Sequence, residues 1–249
     1  MDTSAAITLP RSSPLSWHRL PAPETSMLFA LRRAELSPTV ALWHAHFDPR
    51  RFSSQHPQVQ ASLRAAGLAT SSEKRQAEFW AGRSLMMRAF NLPTPPGRMP
   101  SGAPFIPQGC SGSLSHSSQN ILLLTGPAGL RMGADIERDL APISLQAVIN
   151  RVATPTEKRW LHTLEHSRQR IAATLLFSAK EALFKAFNAE VNTHPGYAAA
   201  EAKEPPQHGT LCFELTRSLG PGQARRMRIN MGYEQVNGFM LTWVCQSSM

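Results

Sequence analysis

The feature that most restricts the fold is a run of alternation that ends in two acids. Leu130, Met132, Ala134 and Ile136 recur at every second position, separated by polar or small residues. A period of two belongs to an extended strand, so Asp135 and Glu137 share one face while Ala134 and Ile136 point to the other. Two carboxylates at that spacing repel each other. They are tolerated when a cation lies between them, or when one of them keeps its proton. Oxygen ligands of this kind suit a hard divalent ion such as Mg2+, which binds few protein groups and leaves room for phosphate oxygens.

Further along, Phe177-Ser178-Ala179-Lys180-Glu181-Ala182-Leu183-Phe184-Lys185 has helical character. Glu181 and Lys185 fall on one helix face in the favourable order. Taken singly, the first stretch also reads as a solvated strand face and the second as a surface ion pair. Taken together they resemble the signature of the 4'-phosphopantetheinyl transferases. That signature is a Gly-x-Asp-x-Glu strand (Gly133 to Glu137) followed by Phe/Trp-Ser/Cys-x-Lys-Glu-Ala-x-x-Lys on a long helix. The resemblance reaches back into the first half. Lys74-Arg75-Gln76-Ala77-Glu78-Phe79-Trp80-Ala81-Gly82-Arg83 looks like the Arg-x-x-Glu-Phe-x-Ala-Gly-Arg helix of the enterobactin-type branch. Gly112-Ser113-Leu114-Ser115-His116-Ser117 is similar to the family's Gly-Ser-Ile/Leu-Ser-His-Ser/Cys.

At 249 residues the chain can bury one large core or two small ones. Its charge is lopsided, with 26 Lys+Arg against 17 Asp+Glu and a formal net of +9. Such a balance favours polyanionic partners: nucleic acid, a phosphate-rich cofactor or an acidic protein surface. Cys110, Cys212 and Cys245 are too widely spaced for a disulfide framework or a Cys-x-x-Cys metal site, which suits a reducing compartment. The N-terminus lacks a signal-type apolar core and no run approaches membrane-spanning length, so a soluble cytoplasmic protein is expected.

Residues 1–26, rich in Ser and Pro, are expected to be extended or partly disordered. Strands are expected at Met27–Leu31, Val40–Phe47, Ile121–Thr125, Thr210–Thr216, Arg226–Tyr233 and Phe239–Cys245, with an Asn237-Gly238 hairpin signal. Thr70 and Glu73 form a capping-box pattern for a helix from Lys74 to about Asn91, and Thr154-Pro155-Thr156-Glu157 opens another to about Glu165. A long helix begins after Ser167. Residues 93–112 read as loop, with His116 at a loop–strand junction, and 189–209 as an irregular crossing or flap. Composition alone gives α+β or α/β architecture in one or two subdomains. A division into 1–128 and 129–249 follows from Gly126-Pro127-Ala128-Gly129 at the midpoint.

The family resemblance implies a pseudo-dimer of two similar αβ halves, with coenzyme A as substrate in the cleft between them. It also implies transfer of the 4'-phosphopantetheinyl arm to a serine of an acidic carrier protein, releasing 3',5'-ADP. Asp135, Glu137 and Glu181 would hold Mg2+. Glu181 would accept the serine proton, directly or through water. Lys180 and Lys185 would stabilise phosphate charge, and Arg75, Arg83, Ser115 and His116 would grip the phosphates of coenzyme A. Two halves sharing one cleft imply a monomer without membrane or nucleic-acid partners. The chain departs from the enterobactin-type branch at Ile106-Pro107-Gln108-Gly109, where Trp-Pro-x-Gly is usual, and lacks a basic residue at Ser101 to Ala103, for which Arg98 is a substitute. Two rivals remain. One is a non-catalytic binder of coenzyme A or carrier protein. The other is a Mg2+-dependent nuclease, whose Glu-x-Lys element would have to be Glu201-Ala202-Lys203, in a stretch of poor strand character.

Overall fold

The computed structural model of the chain describes residues 14–22, 26–187, 195–219 and 224–247. Most of the Ser/Pro-rich start, and 189–194 of the expected crossing, lie outside those residues. The fold divides into two units, Ser16–Ala128 and Gly129–Met249, the second joined by Leu15.

The strands of the first unit are β1 (Trp17–Arg19), β2 (Leu28–Ser37), β3 (Val40–Phe47), β4 (Cys110–Ser117) and β5 (Asn120–Pro127). They form one antiparallel sheet in the order β1-β2-β3-β5-β4. Two helices, α1 (Pro57–Ala65) and α2 (Glu73–Phe90), lie between β3 and β4 in sequence. Ala81, Leu85 and Met86 of α2 are buried in one core with Ala45, Phe47 and Ile121 of the sheet.

The start of α2 corrects one expectation. Ser72, not Thr70, is the N-cap, its hydroxyl accepting from the Arg75 N–H at 3.4 Å. The amide of Gln76 donates to the carbonyls of Leu68, Ala69 and Ser71, which fixes the preceding turn and places Thr70 outside the helix. The far end is as the sequence suggests, with Asn91 in the left-handed conformation that terminates helices. His116 is the second correction. It lies within β4, opposite Ile121, because pairing with β5 begins at Cys110 and not after Ser117.

The second unit holds β6 (Leu130–Arg138), α3 (Leu145–Val152), α4 (Pro155–His162), α5 (His166–Phe187), β7 (Ala200–Ala202), β8 (Thr210–Leu215), β9 (Arg228–Val236) and β10 (Phe239–Ser247). Its antiparallel sheet runs β6-β10-β9-β8-β7. Asn237 and Gly238 both take positive φ, 50° and 76°, as the tight β9–β10 hairpin demands. Thr154 and Glu157 form the reciprocal capping box at α4. β7 overturns the reading of 200–202 as poor strand, because its register against Phe213 to Leu215 supplies the pairing that local composition does not advertise.

Helix α5 lies across β6 and β10, and Gly133 is why it can lie so close. A Cβ at that position would stand 1.8 Å from the Ala182 carbonyl oxygen, well inside van der Waals contact. Apolar side chains of α5, among them Leu175, Leu176, Leu183 and Phe187, complete the core with Phe213 and Met240 of the sheet. Among the described residues no helix is long and apolar enough to cross a membrane.

Candidate active site

Asp135 sits in the middle of β6, 3% exposed, on the face that α5 covers. A buried carboxylate needs hydrogen-bonded compensation. Here it comes from the helix: Lys185 Nζ donates to Oδ1 at 2.6 Å and Ser178 Oγ donates to Oδ2 at 2.9 Å. Ser178 has one hydroxyl proton and gives it to Asp135. Thr242, which faces Asp135 across the β6–β10 register, must therefore donate to Ser178 at 2.9 Å. Lys185 also donates to the Ala134 carbonyl at 3.2 Å. Glu137, two residues along the same strand face, is half-buried.

Glu181 projects from α5 one turn before Lys185. Its Oε1 accepts from the Tyr197 hydroxyl at 2.5 Å. Burial and the adjacent Glu181 carboxylate both push the Tyr197 phenol above its ordinary range, so it stays a donor. Sequence pattern alone does not single out Ser178, Thr242 or Tyr197. Ser178 stood inside the helix motif without a role. Thr242 owes its place to sheet register, and Tyr197 to a turn after the helix, and neither leaves a local pattern.

Lys180 does not meet expectation. Its ammonium is wholly buried and points away from the Asp135 side, toward α4. All three protons are placed: on the Glu157 carboxylate at 2.7 Å, the Tyr197 carbonyl at 2.8 Å and the Val152 carbonyl at 3.0 Å. Burial pulls the ammonium below the ordinary lysine range and Glu157 works against that. Glu157 in turn accepts from the Thr154 and Ala202 N–H groups. Lys180 is thus a structural cross-link, with no donor left for a phosphate.

In the first unit, the pleat of β4 turns Ser115 and His116 to opposite faces of the sheet. Leu114, on the His116 face, packs beside α2, whose Gly82 leaves room for it. The two arginines of α2 also differ. Arg75 is exposed, whereas Arg83 is 3% exposed with its guanidinium 4.5 Å over the Phe79 ring and donating to the Gly97 carbonyl at 3.2 Å. Burial, and then the nearby Arg98 charge, lower Arg83 to about 10, and its Nε has no partner. Arg98 itself donates to the Gly102 and Ala66 carbonyls.

The expected metal ligands, Asp135, Glu137 and Glu181, are hard oxygen donors, the chemistry Mg2+ takes with one or two carboxylates plus water and phosphate. Among the described residues, however, no three His, Cys, Asp or Glu side chains close on a common point. The positive charge at Asp135 is supplied by Lys185. The three acids match Mg2+ in donor type but form no preformed cage among the described residues.

Comparison with known proteins identifies the family. Residues 131–225 match the 4'-phosphopantetheinyl transferase superfamily, and residues 63–125 match the 4'-phosphopantetheinyl transferase N-terminal domain. The chain is 30% identical over 186 residues to the 4'-phosphopantetheinyl transferase Svp of Streptomyces mobaraensis, covering 72% of this chain and 71% of that one. It is 32% identical over 142 residues to enterobactin synthase component D of Salmonella typhimurium, and equally to that of Salmonella typhi. These two alignments span 57% of the relatives' length and 56% of this chain. The chain belongs to the 4'-phosphopantetheinyl transferase superfamily.

Proposed function

We propose that the protein transfers the 4'-phosphopantetheinyl group of coenzyme A to a serine of an apo carrier protein. The observation that carries this reading is the Asp135–Lys185–Ser178 constellation, with Glu181 one turn away, inside the span matched to the superfamily. In the reaction the serine oxygen attacks the phosphorus that bears the pantetheine arm. The bond to the 3',5'-ADP phosphate breaks, and that group leaves with the bonding pair. Glu181 takes the serine proton, directly or through water. Lys185 neutralises phosphate charge. Its ammonium, which donates to Asp135 Oδ1 in the structure, is the cation on α5 nearest the acids that would hold the metal. Mg2+ held by Asp135, Glu137 and Glu181 would supply Lewis-acid charge at the pyrophosphate. Arg75, Arg83, Ser115 and His116 of the first unit are assigned to the phosphates of coenzyme A, with exposed Arg75 the more accessible guanidinium. A cytoplasmic monomer acting on acidic carrier domains of siderophore or other secondary-metabolite synthesis fits the net charge of +9 and the relatives' names.

Intact-protein mass spectrometry tests this. Apo carrier protein incubated with the protein, coenzyme A and Mg2+ should gain the mass of one phosphopantetheinyl arm. The gain should vanish with EDTA, and with Glu181→Gln it should be reached only over far longer incubation. No gain on fatty-acid, polyketide and peptide-synthesis carriers, despite measurable coenzyme A binding, would favour a non-catalytic binder.

A further inference from the structure

Glu181 is a long, half-buried side chain with three rotatable bonds. Something must hold its carboxylate in one place if it is to accept a proton from a particular hydroxyl. One group that holds it comes from outside the helix, the Tyr197 hydroxyl donating to Oε1 at 2.5 Å. Gly196, at a φ of 79°, turns the chain back toward α5 directly ahead of Tyr197. The Tyr197 ring then settles beside Phe177 and Phe184, with centroids 6.1 and 5.9 Å away. These two aromatics lie four residues before and three after Glu181, its neighbours on one helix face. They therefore aim the phenol at the carboxylate between them.

The backbone of Tyr197 is fixed as firmly as its ring. Its carbonyl accepts from Lys180 at 2.8 Å, and the same ammonium grips α4 through Glu157 and the end of α3 through the Val152 carbonyl. Helix α5 thus uses adjacent residues for two tasks. Lys180 clamps the returning chain from below, and Glu181 receives that chain's hydroxyl above.

We propose that Tyr197 is a positioning residue for the transfer reaction, its hydroxyl fixing the Glu181 carboxylate in the orientation that accepts the serine proton. This rests on the transferase reading above. Aromatic packing by Phe177 and Phe184 needs only the ring. The hydroxyl is the part that acts on Glu181, so Tyr197→Phe separates the two.

Tyr197→Phe is expected to lower kcat by roughly 10- to 100-fold, with KM for coenzyme A and for the carrier changed less than about twofold. Because Tyr197 acts through Glu181, Tyr197→Phe added to Glu181→Gln should slow the reaction no further. A wild-type rate for Tyr197→Phe, or losses that multiply in the double variant, would overturn the proposal. Urea unfolding gives a second reading that does not depend on activity. The midpoint shift caused by Tyr197→Phe should disappear in a Glu181→Ala background, and an equal shift in both backgrounds would show that the contact does not exist. If wild-type protein transfers nothing while that coupling is present, the transferase reading fails and the contact stands.

Discussion

His44 sits near the middle of β3, 3% exposed, with both ring nitrogens engaged: Nδ1 accepts from Arg32 Nε at 3.1 Å and Nε2 faces Asn120 Oδ1 at 3.0 Å. That pattern requires the neutral ring, donating from Nε2. Burial first, then the charges of Arg32 and His46, depress its pKa from 6.5 to about 3. The unfolded chain therefore takes up a proton below about pH 6.5 that the folded protein refuses until about pH 3. Stability from this group is complete above the higher value and declines as pH falls through the window, by an amount approaching about 5 kcal/mol at the acid end. Chemical denaturation from pH 7 to 4 should show that decline, and His44→Gln should flatten it. Residue chemistry explains the lysines as well. Lys180 and Lys185 stand in one motif with the same chemistry, yet one is sealed by three acceptors and the other reaches Asp135. The strand motif holds Asp135 and the helix motif Lys185, and the structure joins the two. The helix motif could not separate the lysines, because burial of Lys180 depends on where α4 and residues 195–203 return.

At the level of elements, local signals read well where a strand or helix carries its own punctuation. The Thr154–Glu157 capping box, the Asn237-Gly238 turn and the full span Val40–Phe47 all stand as the sequence suggests. Short elements were not legible. β1, β7, α1 and α3 are held by pairing and packing partners distant in sequence, which leave no pattern in so few residues. The N-cap of α2 failed for a related reason. Thr70 and Ser72 are both plausible caps, and the tertiary hydrogen bonds of Gln76 decide between them. Ser72→Ala should cost about 1 kcal/mol of stability and Thr70→Ala less than about 0.5, measured by thermal or urea unfolding. Equal costs would return the cap to Thr70.

For the molecule as a whole, a net charge of +9 sets how partners arrive more than how tightly they are held. On the transferase reading, kcat/KM for an acidic carrier should fall several-fold between about 50 and 500 mM salt while kcat stays nearly constant, since screening acts on encounter. The same kinetics with an uncharged serine peptide should be insensitive to salt. One dimension of the proposed site is set by a side chain that is missing. At Gly133 the main chains of the acid-bearing strand and the lysine-bearing helix meet with nothing between them. The gap across which Asp135 and Lys185 face each other is therefore gauged by backbone against backbone, a length no rotamer can stretch. Drift among the surrounding apolar residues leaves that length untouched, whereas a single methyl at position 133 would move Ser178, Glu181 and Lys185 at once.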